Sequence, residues 1–203
     1  PSPKWLADYL KSVGQKSINN LVDISNFMLL EIGHPTHIFD LQKLDKPAIK
    51  VSWAKKNENF NALDEETYKL DADHMVITDT KNTIALAGII GGMDSSVTDT
   101  TTEVLIESAY FNPVVIRKGS KKLNLLSEAS RRFERGTDPN AASEAFNMIV
   151  QLMQEVAGGS LESLITDECS MNLQNTTVHL SSEKLLKYAG QDISSKEVEQ
   201  ILN

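Results

Sequence analysis

Asn19-Asn20-Leu21-Val22-Asp23-Ile24-Ser25-Asn26, leading into Gly33-His34-Pro35-Thr36-His37-Ile38-Phe39-Asp40, begins to fix the architecture. Ile18, Leu21, Val22, Phe27, Met28, Leu29 and Ile32 predict a helix that Gly33 and Pro35 end. Upstream, Trp5, Leu6, Tyr9, Leu10 and Val13 follow helical spacing as far as Gly14. Downstream the period changes to two. Ile49, Val51 and Trp53 alternate with polar residues. Asn61 to Tyr68 reads as a hairpin with Asp64, Glu65 and Glu66 at its turn. Met75-Val76-Ile77, Ile84-Ala85-Leu86-Ala87 and Val104-Leu105-Ile106 read as short apolar strands.

Helical spacing returns after Pro113. Asp138-Pro139 is the expected N-cap and first turn of a helix whose face runs through Ala142, Ala145, Phe146, Ile149, Val150, Met153 and Val156 to Gly158-Gly159. Helices thus stand at both ends of a run of short strands. Beyond Cys169 the composition turns polar, and Met171 to Thr177 reads as a linker. Val178-His179-Leu180 is a candidate strand. Ser182–Tyr188 and Ser194–Leu202 are candidate helices, Ser194 and Glu197 fitting a capping box. A chain that stops inside a helix is expected to be a piece of a longer protein. The domains expected are 1–172 and 173–203.

At 203 residues, 40% hydrophobic and 24% charged, the composition is that of an ordinary globular protein. No apolar run approaches the roughly 20 residues of a membrane span, and the first residues lack a signal-peptide core. One cysteine permits neither an internal disulfide nor a CxxC zinc site. A cytoplasmic location is the expectation. The net charge of −8 speaks against a generic nucleic-acid binder. Residues 117–135 nevertheless carry +5, which suits either a solvated helix face with internal ion pairs or a local phosphate contact.

Gly88-Ile89-Ile90-Gly91-Gly92 lacks the endings of phosphate-binding and dinucleotide loops. It reads as a tight turn, a close-approach surface for a ligand, or both. His37 is a structural or site histidine at the end of a helix. Asn26 sits mid-helix, where its side chain invites a role, whether capping or contact with a ligand. Glu107 continues an apolar strand, where an unpaired buried carboxylate is costly. It calls for an arginine partner or a ligand hydroxyl. Ser25, Ser127 and Ser130 lack a nucleophile-elbow context. No HExxH pattern is present, so no metal site is expected.

The Asn19–Asn26 run, His37-Ile38-Phe39-Asp40, Ala87–Gly92, Ile106-Glu107 and Ser127-Glu128-Ala129-Ser130-Arg131-Arg132-Phe133-Glu134-Arg135-Gly136-Thr137-Asp138-Pro139 together resemble the editing domain of the bacterial phenylalanyl-tRNA synthetase β subunit. The resemblance covers about residues 1–170. It implies an α/β fold of the mixed α+β kind, a layered β/β/α module with helices outside, and the start of a following small domain. It implies hydrolysis of Tyr-tRNA(Phe) made in error. Glu107 would accept the tyrosine hydroxyl, Gly88 and Gly91 would form the pocket's close wall, and Ala129 would set its size with Ser127 nearby. Asn26 and His37 would lie at the ester end. Lys16 stands where arginine is common in the family, which weakens any substrate-orienting role there. The implied partners are the tRNA(Phe) 3′ terminus carrying tyrosine and an α subunit in an (αβ)₂ heterotetramer. Editing would need no cofactor. ATP and Mg²⁺ would serve the whole enzyme outside this chain. The competing expectations are a non-catalytic tRNA-binding or assembly module, and a small-molecule hydrolase in which His37 and Glu107 pair as acid and base.

Overall fold

The computed structural model describes residues 1–162, 166–168 and 177–202. Cys169, most of the expected linker and the expected boundary at 172/173 lie outside them. The chain forms two compact units, Pro1–Leu164 and Ile165–Asn203. The fold is mixed α+β, and every strand pairing is antiparallel.

In the first unit, α1 (Lys4–Ser12) and α2 (Asn20–Glu31) precede β1 (Thr36–Asp40). Asn19 caps α2 by accepting from the Val22 amide at 3.0 Å. His37, expected at a helix end, lies instead in β1. The Gly33-His34-Pro35 break releases the chain into an extended course, and β8 (Val104–Ser108) pairs with it from Thr36↔Ser108 to Asp40↔Val104. Between these two strands the chain builds β2 (Lys50–Trp53), the hairpin β3 (Asn59–Asn61) and β4 (Thr67–Lys69), then β5 (Met75–Thr78), β6 (Thr83–Leu86) and β7 (Ile90–Gly91). Strands β2, β5, β6 and β7 form a sheet in that order.

The β1–β8 ribbon separates two apolar clusters. Ile38 and Ile106 pack with Leu6, Leu10, Ile24, Met28, Ile149 and Met153. Phe39 and Leu105 face the other way, toward Val76, Ile77, Leu86, Phe111, Ile116 and Phe133. Strand alternation therefore sends His37 and Glu107 to the Phe39 side. Residues after β8 supply α3 (Pro113–Leu123), the short α4 (Glu128–Phe133) and α5 (Ala141–Val156). The expected Asp138 cap is displaced. The Asp138 carboxylate accepts from the Asn140 backbone amide at 2.9 Å and from its side-chain amide at 3.1 Å, so it serves a turn. Helix α5 starts two residues later than Pro139.

In the second unit, α6 (Ser182–Ala189) and α7 (Ser195–Leu202) match the expected helices. Ser194 accepts from the Glu197 amide, one half of the expected capping box. Residues 178–180 form no strand, contrary to expectation. Val178 is 82% exposed, and a three-residue segment with no ladder partner among the described residues cannot hold an extended pairing.

Asp23 is the buried anchor of α2. Its carboxylate accepts from the Ser2 hydroxyl at 2.6 Å, the Ser17 hydroxyl and the Ile18 amide at 2.8 Å, and it is fully inaccessible. Asp23→Ala strands those donors and should destabilise the first unit by roughly 2–4 kcal/mol. Both tryptophans, Trp5 and Trp53, lie in this unit. Urea unfolding followed by their fluorescence should show a lower midpoint at unchanged slope.

Candidate functional site

A cavity of about 480 Å³ opens on the Phe39 side of the ribbon, where apolar packing stops short of the end of β1. Asn26, His37, Gly88, Gly91, Glu107, Ser127 and Ala129 all border it. Five separate segments thus deliver seven of the eight sequence-predicted residues to one place. Lys16 is the exception. It is exposed and does not line the cavity, although Ile18, two residues on, does.

His37 and Glu107 are direct cross-strand partners. Such positions hold their Cβ atoms about 5 Å apart on one face. No hydrogen bond joins the two side chains, which does not favour an acid–base pair. The His37 ring packs edge-on against Phe39 at 4.5 Å, and its Nε2 is buried with no hydrogen-bond partner. Burial lowers the His37 pKa from 6.5 to about 4, so the ring is neutral at pH 7. Glu107 has no ion-pair or hydrogen-bond partner among the described residues. Its side chain reaches solvent only partly. Burial raises its pKa from 4.5 to about 7. A carboxylate set among apolar walls with no donor of its own is an acceptor awaiting one.

The glycine turn is shaped by contact. A Cβ on Gly91 would lie 2.3 Å from His37 Cε1 and 2.9 Å from Leu63 Cδ1. Gly88 has φ +65°, and a Cβ there would meet Phe111 at 2.8 Å. Ser127 binds this turn to α4. Its hydroxyl donates to the Ile89 carbonyl at 2.5 Å and accepts from the Ser130 amide at 3.0 Å. The Ser130 hydroxyl in turn accepts from the Ser127 amide, completing a reciprocal cap. Ser127 is therefore committed to holding the wall, and Ala129, the second residue of α4, borders the space it encloses. Asn26 reaches the cavity from α2. Its neighbour Ser25 is tied to the Thr36 carbonyl at 2.9 Å, which fixes α2 against β1. Ile18 and Val22, read from sequence only as part of a helix face, and Val97 add apolar wall. Their apolar character alone does not separate them from core residues. Among the described residues, no group of three His, Cys, Asp or Glu could hold a metal ion.

Residues 1–158 match the B3/4 domain family. The chain belongs to that family. Its similarity extends to phenylalanine–tRNA ligase beta subunits. It is 41% identical to that of Protochlamydia amoebophila over 200 residues, covering 98% of the chain and 25% of the relative. It is 39% identical over 203 residues to that of Geobacter sulfurreducens, covering 100% and 25%. The Bacillus cereus subunit is 41% identical over 198 residues, covering 98% and 25%. The chain thus spans about a quarter of the length of these relatives, and its context is that of an aminoacyl-tRNA synthetase subunit. The matched residues 1–158 include every residue that lines the cavity.

Two outcomes follow from the geometry of the B3/4 domain. The raised Glu107 pKa means the folded carboxyl keeps its proton where the unfolded chain has lost it. The destabilisation this causes sets in as pH rises through 4.5 and is complete above about 7. Glu107→Gln should therefore raise stability at pH 8 by roughly 1–3 kcal/mol and leave it nearly unchanged at pH 4. Thermal melts at the two pH values measure the difference, and equal shifts at both would remove the unpaired-acid assignment. Gly91→Ala should displace His37 and close the cavity. A thermal melt should show its melting temperature fall by only a few degrees, while the His37 ring resonances move.

Proposed function

We propose that the cavity is a post-transfer editing site that hydrolyses mischarged Tyr-tRNA(Phe). The observation that carries this reading is the unpartnered Glu107 carboxyl facing a cavity bounded by Gly88, Gly91 and Ala129. A synthetic pocket built for phenylalanine rejects one added hydroxyl poorly, by about 10²-fold in comparable cases. A second site that needs the hydroxyl reverses the problem. Phenylalanine seated here leaves Glu107 desolvated and unpaired, a penalty of about 1–3 kcal/mol. The phenolic O–H of tyrosine donates to that carboxylate and relieves it.

The reaction is attack of a positioned water on the ester carbonyl. Asn26 and the neutral imidazole of His37 orient the α-amino end and the water. Backbone amides of the glycine turn stabilise the developing oxyanion, and the terminal ribose hydroxyl assists. With a folded pKa of about 4, His37 suits hydrogen bonding better than full proton abstraction at neutral pH. The roles of Gly88, Gly91, Ser127 and Ala129 are to shape the wall. Lys16 stands outside the cavity and would act only on the approaching RNA.

In this reading residues 1–172 are the editing module and residues 173–203 open the next domain. The partners are the 3′ terminus of tRNA(Phe) carrying tyrosine and an α subunit in an (αβ)₂ enzyme of the cytoplasm. ATP and Mg²⁺ would serve synthesis in that enzyme, bound outside this chain, and editing draws on neither. No helix among the described residues is long and apolar enough to cross a membrane. A non-catalytic tRNA-binding or assembly module is the second reading. The exposed cations of α3 favour it, since Arg117, Lys118 and Lys121 have no ion pair among the described residues.

Deacylation of Tyr-tRNA and Phe-tRNA by the wild type, Glu107→Ala and Ala129→Trp tests the proposal. The wild type should favour the tyrosyl ester. Glu107→Ala should lose about tenfold or more of that preference. Ala129→Trp should stop hydrolysis by filling the cavity. A wild type that binds tRNA without deacylating it supports the second reading.

A further inference from the structure

A second cavity, of about 490 Å³, lies beside the first, on the other side of α4. Arg131, Arg132, Arg135, His34 and Thr137 border it, with the turn at Gly33. Glu128 borders both cavities, and Phe133 lines the amino-acid cavity while stacking edge-on with His34 at 6.0 Å. The two spaces therefore share α4 as their partition.

The polar groups around this second cavity are three arginines, His34, Thr137 and two carboxylates. His34 is 1% exposed, yet neither ring nitrogen has a hydrogen-bond partner. Thr137 Oγ1 is likewise buried and unpartnered. Burial lowers the His34 pKa, which the nearby Ala109 carbonyl and the Asp138 charge only partly offset. Two carboxylates also border the space, and both are engaged. Glu128 accepts from Arg132 Nη1 at 2.8 Å and lies 3.8 Å from Arg131 Nη1. Asp138 accepts twice from Asn140. Arg135 has no ion pair among the described residues. Three guanidiniums against two carboxylates leave a net positive space, with the His34 ring and Thr137 in its wall. Guanidinium forks suit tetrahedral oxyanions.

We propose that this cleft binds a backbone phosphate of a single-stranded RNA end, holding the strand while its terminal aminoacyl group enters the cavity across α4. The inference rests on the editing reading for its choice of RNA as the source of the phosphate. It also accounts for the basic segment on an otherwise acidic chain. Most of that chain's surface repels RNA, and a cationic cleft beside the amino-acid cavity restricts attraction to one route.

The test uses the full 203-residue chain and two probes, inorganic phosphate and a short single-stranded RNA ending in CCA. Phosphate titrated into isotope-labelled protein should shift the His34 ring and Thr137 amide resonances saturably. The double variant Arg131→Ala/Arg135→Ala leaves the Arg132–Glu128 pair intact, so α4 should keep its fold, checked by unchanged melting. It should lose those shifts and bind the RNA roughly tenfold more weakly per arginine removed. The salt dependence of RNA binding should fall by about one to two counterions. Phosphate should compete with the RNA. Absence of saturable shifts, wild-type RNA affinity in the variant, or phosphate binding that does not compete with RNA would each overturn the proposal. Free tyrosine binding, measured on the same samples, should survive the arginine substitutions and fail in Gly91→Ala. If tyrosine fails to bind the wild type while the phosphate and RNA arms succeed, the editing reading falls and the anion site stands.

Discussion

The antiparallel register that sets His37 opposite Glu107 is the constraint on which the site depends. The β1–β8 ribbon is apolar on both faces because a different cluster covers each. Its alternation is consequently enforced from two sides. A slip of one residue would bury His37 and Glu107 among Leu6, Ile24 and Ile149 and turn Ile38 and Ile106 toward the cavity. Neither cluster could absorb that exchange. The same packing that stabilises the unit therefore aims an acid and an imidazole into one incompletely filled space.

The cavity wall is built for close approach. Gly91 stands where any side chain would strike the His37 ring, and Gly88 adopts a backbone conformation with no room for a Cβ. Ser127 then fastens this turn to α4 through the Ile89 carbonyl. Glycine backbone and the small Ala129 thus both border the cavity. Between them Glu107 remains without a donor. Folding bears the energetic burden of that unpaired carboxyl, which is the expected mark of a group kept for a ligand rather than for stability.

Periodicity made most of the elements legible in the sequence. The stripe from Ala142 to Val156 is α5, and the alternation at Ile49, Val51 and Trp53 is an outer strand. Errors fell where a tertiary partner decides. His37 looks like a helix-end residue until β8 arrives from some seventy positions away. Val178-His179-Leu180 has strand composition but no neighbour to pair with among the described residues. Asp138 looks like a cap, yet its carboxylate is taken by Asn140. The gathering of Asn26, Gly88, Gly91, Glu107, Ser127 and Ala129 was legible only as a set of family motifs, because no local pattern states which distant strands meet. Asp23 gave a signal that went unread: an acid on the buried side of an apolar helix demands donors, and Ser2, Ser17 and Ile18 supply them. The receptor around His34 gave almost none, since a histidine between glycine and proline carries no period.

The carbon-13 titration of the Glu107 side-chain carboxyl, run with and without free tyrosine, reaches the central claim most directly. The account predicts a midpoint near pH 7 in the unliganded chain. Tyrosine should lower that midpoint, because its hydroxyl donates to the charged form, while phenylalanine should not lower it. A midpoint at the ordinary glutamate value of about 4.3, or an identical response to both amino acids, would contradict the account.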